Sequence, residues 1–102
     1  MNQLNYKHLH YFWMVAKTGS IVLASDQLHV TPQTISGQLS IFEDAQGEKL
    51  FQKSGRNLEL TETGRVVFDF AEKIFSLGKE LEQLLGQETK ERSLLLRVGV
   101  SD

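Results

Sequence analysis

Apolar residues near the start of the chain recur with the period of a helix. From Tyr6 to Lys17, Leu9, Phe12, Trp13 and Ala16 fall at i, i+3, i+4 and i+7, which gathers them on one face; Asn5 is placed to cap the start and Gly19 follows the end. Ser20 opens a second, shorter helical stretch to about Leu28, in which Ala24 is small enough for another helix to approach closely. His29, Val30 and Thr31 form a short connection. Thr31 as cap and Pro32 at the first helical position, where its missing N–H costs nothing, predict a third helix from Pro32 to about Asp44, with Gly47 beyond it. Ile35, Leu39 and Phe42 share its inner side. A turn of about 100° per residue sends Gln33, Gly37 and Ser40 outward, flanked by Thr34 and Ile41.

After Gly47 the pattern changes. Leu50 to Lys53 and Leu58 to Leu60 read as two short strands around the turn-rich Ser54, Gly55, Arg56 and Asn57, a hairpin that would form a wing. Thr61 then caps a long helix, with Glu62 in the favourable first turn. Along it Val67, Phe70, Ile74, Leu77, Leu81 and Leu84 alternate three- and four-residue spacings, a heptad seam beside which Leu85 also lies. Val66, Val67 and Phe70 are expected to dock the helix onto its own domain. Ile74 to Leu85 run about 15 Å past a compact core and need a second copy as partner. Glu88 to Ser93 reads as a polar hinge, and Leu94 to Val98 as a β-like segment opening a domain that these residues do not complete; Gly99 to Asp102 add too little for a sheet. The expected organisation is therefore residues 1–60 as a winged helix-turn-helix, 61–89 as a linker and dimerisation helix, and 90–102 as a hinge and the start of a further domain. The fold class is mainly α: three helices plus a β-hairpin wing, then the long helix.

Composition narrows the chemistry. The 102 residues, 40% of them apolar, are enough for one domain with an appended helix. No stretch approaches the roughly 18 apolar residues of a membrane span, and the first residues lack the apolar run of a signal peptide, so a cytoplasmic protein without membrane contact is expected. Without cysteine there is no disulfide, thiolate metal site or Cys nucleophile. His8 and His10, two positions apart, fall on different sides of a helix, and with His29 they make no metal-ligand set. No Gly-rich phosphate loop, nucleophile with a nearby base or clustered carboxylate pair is present, so neither a cofactor nor an enzymatic activity is expected. Tyr11, Phe12 and Trp13 could form a stacking platform for single strands, but Phe12 and Trp13 lie on the apolar face and read as core.

A net charge of −2 counts against nucleic acid until it is divided along the chain. Residues 1–57 carry five bases and four acids, and residues 58–102 six bases and nine acids; Lys49, Lys53 and Arg56 cluster at the expected wing. Two helices joined by a three-residue turn, the second with a polar outer face, match a helix-turn-helix that lays its second helix in the major groove of double-stranded DNA. A dimerising protein–protein interaction module on the same winged-helix fold fits the geometry too, and salt dependence of binding separates the two.

The motifs go further. L-x-x-F at Leu9 and Phe12, Gly19-Ser20, A-S-D-Q-L-H-V-T-P-Q-T-I-S-G-Q-L from Ala24 to Leu39, G-x-x-L-F-x-K-x-G-R from Gly47 to Arg56, and L-T-x-x-G from Leu60 to Gly64 make the stretch resemble the N-terminal domain of LysR-type transcriptional regulators. The resemblance implies a homodimer paired through Phe70, Ile74, Leu77, Leu81, Leu84 and Leu85. It also implies an effector domain beginning near Leu95, through which any small molecule or ion would act and on which tetramers would depend. It places Thr31, Pro32, Gln33, Thr34 and Gly37 against bases, and Ser36, Ser40, Lys53 and Arg56 against phosphates or the minor groove. The family often has Arg at the position of Gly37 and Arg or Lys at that of Ser40, so base reading shifts here to Gln33, whose amide can pair with adenine, and Thr34, whose methyl can meet that of thymine.

Overall fold

A helix leaves its first backbone N–H groups without partners, and a short polar side chain just ahead of it supplies one. In the computed structural model, which describes the backbone of residues 4–98 and the side chains of residues 4–86, all four helices begin this way. Asn5 accepts from the His8 amide at 3.0 Å and opens α1, Tyr6–Thr18. Ser20 accepts from Leu23 at 3.2 Å and opens α2, Ile21–Leu28. Thr31 accepts from Thr34 at 3.1 Å and opens α3, Pro32–Gln46. Thr61 accepts from Gly64 at 3.0 Å and opens α4, Glu62–Val98. Gly19 and Gly47 close α1 and α3 with φ of 74° each, the left-handed conformation that glycine adopts without a Cβ penalty. His29 closes α2 at φ 58°, where a non-glycine residue carries some strain.

The hairpin is tighter than expected. Strands β1, Phe51–Ser54, and β2, Asn57–Leu60, pair antiparallel with Ser54 opposite Asn57, leaving Gly55 and Arg56 as a two-residue turn. Gly55 has φ 65° and Arg56 does not share the positive φ, the pattern of a type II′ turn, whose twist suits a hairpin.

Two compact units make up the chain, Met1–Glu72 and Lys73–Asp102. In the first, α1, α2 and α3 each touch the other two around Leu9, Phe12, Val15, Ala24, Ile35, Leu39, Phe42 and Leu50. Phe12 stands at the centre, its ring 6.0 Å from Phe42 and 5.2 Å from Phe51. The buried arc of α1 is wider than its 3–4 stripe: Tyr11 and Val15 are buried, while Trp13 and Ala16 are half-buried. A helix with neighbours on several sides buries more than one stripe.

The start of α4 docks differently from the expectation. Val66 and Phe70 are exposed, and the buried positions are Gly64 and Ala71, with Val67 and Phe68 half-buried between them. A Cβ on Gly64 would overlap the Leu50 carbonyl oxygen, so the glycine is what lets the start of α4 come this close to the backbone just ahead of β1. In the second unit Leu77, Leu81 and Leu84 are 64, 54 and 53% exposed. The helix runs on to Val98, so neither the hinge at Glu88–Ser93 nor the β-like segment at Leu94–Val98 is present. No Gly or Pro interrupts residues 87–98, and their Leu, Arg, Lys and Glu residues favour helix. Gly99 to Asp102 lie outside the described residues.

Candidate nucleic-acid interface

The outer face of α3 is set by its inner face. With Ile35, Leu39 and Phe42 buried, Thr31, Pro32, Gln33, Thr34, Ser36, Gly37 and Ser40 are all exposed. The helix start is held twice: Thr31 Oγ1 accepts the Thr34 amide and also lies 2.9 Å from Thr34 Oγ1. A Thr cap contributes about 0.5–2 kcal/mol to the helix it starts. The hydroxyls of Thr31 and Thr34 are thus occupied with each other. A Cβ on Gly37 would meet nothing within 4 Å, so packing inside the chain does not call for glycine there.

The hairpin shares a groove with this helix. Ser36 and Ser40 line it together with Ile21, Leu39, Phe51 and Leu58, which brings two of the expected phosphate contacts beside the base of the wing. Lys53 pairs across the hairpin with Leu58, and directly opposed residues point to the same side of a sheet, so Lys53 belongs to the groove side of β1. Arg56 occupies the tip. Both cations are exposed and, among the described residues, neither is paired with a carboxylate.

Glu43 was not legible as a site residue, and it is what holds the wing in place. Its Oε2 accepts from the backbone amides of Leu50 at 2.8 Å and Phe51 at 3.2 Å, and its Oε1 lies 3.8 Å from Lys49 Nζ. The carboxylate side chain is 13% exposed and the lysine 79%, so the two amides matter more than the ion pair. The available signal was an acid on the inner side of α3, four residues after Leu39. Thr61 adds a second tie, donating from Oγ1 to the Lys49 carbonyl at 2.7 Å while its own amide donates to Leu50.

The histidines are dispersed. His8 packs its ring 6.2 Å from Phe42, His29 is exposed at the end of α2, and burial pushes His10 below the ordinary imidazole value of 6.5. Among the described residues no cluster of His, Cys, Asp or Glu could hold a metal ion. Among them, too, no helix is long and apolar enough to cross a membrane.

Comparison with known proteins bears on the whole arrangement. Residues 6–65 match the family model described as bacterial regulatory helix-turn-helix protein, lysR family. Over all 102 residues the chain is 45% identical to the transcriptional activator protein NhaR of Escherichia coli (strain K12), covering 34% of that protein. The Tyr-Phe-Trp run at Tyr11 to Trp13 and the stretch from Thr31 to Gln38 point to the same relative from the sequence. The chain thus spans about a third of the length of this relative. Among solved structures, the DNA complex of the CbnR DNA-binding domain superposes with a TM-score of 0.70 at 28% identity, over 84% of this chain and 99% of that one. The BenM DNA-binding domain, in complex with catB site 1 DNA, superposes with a TM-score of 0.76 at 23% identity, over 84% of this chain and 97% of that one, and shares the winged-helix fold.

Proposed function

The chain belongs to the lysR family of bacterial regulatory helix-turn-helix proteins, and from that premise we propose that it reads specific double-stranded DNA sequences as a homodimer. The observation that carries this reading is the joint surface of α3 and the wing: a capped helix with a small, uncharged outer face, Ser36 and Ser40 in the groove beside it, and Lys53 and Arg56 exposed on the hairpin. Gln33 and Thr34 contact bases, with Thr31, Pro32 and Gly37 close against the groove floor. Ser36, Ser40 and Lys53 take phosphates, and Arg56 reaches the backbone or the minor groove beyond. Few direct contacts leave part of the specificity to DNA shape.

In this reading residues 1–60 read DNA and 61–89 pair two copies. Phe70, Ile74, Leu77, Leu81, Leu84 and Leu85 form the interface, and 90–102 lead to an effector-binding domain. Tetramers and any response to a small molecule or ion would depend on that domain, and the work is cytoplasmic.

Selection of random duplex DNA by this chain, followed by anisotropy titration of the winners at two salt concentrations, tests the proposal. The expected result is a pair of half-sites about one helical turn apart, bound more weakly as salt rises. Gln33→Ala should lose about 1–3 kcal/mol at the preferred base and relax the preference there. A folded dimer that enriches no sequence overturns the assignment.

A further inference from the structure

Tryptophan has one polar atom, the indole N–H, which needs an acceptor when the ring is withdrawn from water. For half-buried Trp13 that acceptor is far away in sequence: Nε1 donates to Glu72 Oε2 at 2.6 Å, a short bond to a charged partner. The ring is held along α1 as well. Lys17 Nζ lies 4.3 Å from the ring centroid one turn later, and the His10 ring lies 5.7 Å away one turn earlier.

Glu72 is the last residue of the first unit, and the exposed Leu77, Leu81 and Leu84 follow within four turns of the same helix. Gly64 anchors α4 at its start through the close approach to Leu50. Ala71, next to Glu72 in sequence, is also buried, so a second hold on the helix lies seven to eight residues on, about 12 Å along the axis, and there an apolar contact is joined by a directional one. Apolar contacts tolerate sliding; a hydrogen bond to a carboxylate is directional and tolerates less.

We propose that the Trp13–Glu72 hydrogen bond is a positioning device that fixes the direction of α4 at the edge of the DNA-reading unit, and so the half-site spacing that the dimer accepts. The proposal rests on the DNA-reading homodimer put forward above. Trp13 and Glu72 act through α4. Losing their bond broadens the spacing preference without weakening the hold of one unit on one half-site.

The test uses duplexes carrying the selected half-sites with their separation changed in single base-pair steps, and a duplex with one half-site as reference. Affinities are measured for the wild type, Trp13→Phe, Glu72→Leu and Glu72→Gln, each first shown to be a folded dimer. The wild type should prefer one spacing. Trp13→Phe and Glu72→Leu should lose about tenfold of that discrimination, the effect expected from one charge-assisted hydrogen bond, with single half-site affinity unchanged. Glu72→Gln, whose amide oxygen still accepts from the indole, should stay near the wild type. Wild-type spacing profiles in both Trp13→Phe and Glu72→Leu overturn the positioning role alone. A wild type that binds none of the duplexes overturns the DNA reading, and this role with it. If Trp13→Phe folds poorly, Glu72→Leu decides the matter, because a half-buried helix position accepts leucine.

Discussion

Ile35, Leu39 and Phe42 are at most 7% exposed while Leu77, Leu81 and Leu84 are more than half exposed, although both groups sit at successive spacings of four and three on amphipathic helices. Equal periodicity has led to opposite environments. In residues 1–72 three helices meet at angles that let each cover the others, and no buried polar side-chain atom among the described residues lacks a partner. In the second unit the apolar stripe of α4 faces water. A contiguous apolar stripe in water marks a surface awaiting a partner, and a second copy of the same stripe is the partner that the family reading supplies.

Independence of the two regions is what substitution can break. The largest effect is expected from Leu77→Asp combined with Leu81→Asp. Each leucine contributes about 1.5–3 kcal/mol when buried, so the dimer should weaken by more than about a hundredfold in sedimentation while the melting of residues 1–72 stays in place. A dimer that survives both charges would place the interface elsewhere. Gly64→Ala should do the reverse. Its methyl would overlap the Leu50 carbonyl oxygen, costing about 3 kcal/mol of stability in thermal or denaturant unfolding. A variant as stable as the wild type would mean that the start of α4 can lift from the Leu50 backbone freely.

Smaller effects sharpen the picture within the first unit. Arg56→Ala should leave the melting temperature unchanged and lower the slope of log affinity against log salt by about one. An unchanged slope takes the wing tip out of the DNA contact. Gly37→Ala is expected to stabilise the fold by about 0.5–1 kcal/mol, because glycine inside a helix is entropically unfavourable and no neighbour opposes a methyl there. The same variant should bind DNA more weakly, and one that gains stability with affinity intact would remove Gly37 from the interface.

Much of the candidate site was legible because the outer face of α3 follows from its inner face. Ile35, Leu39 and Phe42 had to be buried, and Gln33, Thr34, Gly37 and Ser40 then had to face out. The docking of α4 was not legible in this way. Val66 and Phe70 carry more apolar surface than Gly64 and Ala71, yet the smaller pair is buried, since what counts at a close crossing is the room it leaves for backbone. The end of α4 was not legible for a different reason: a short apolar run such as Leu94 to Leu96 serves a strand or a helix equally, and only the continuity of the backbone separates them.

By itself the sequence determined the places where helices begin and where α1 and α3 end, because each cap is decided within four residues: Asn5 with His8, Ser20 with Leu23, Thr31 with Thr34, Thr61 with Gly64, and the left-handed closures at Gly19 and Gly47. Only the tertiary structure decided that Glu43 braces the wing, that Gly64 meets the Leu50 carbonyl and that Trp13 reaches Glu72. Those contacts join residues from different elements. Their existence depends on how the elements pack, a property that no local periodicity or capping preference encodes.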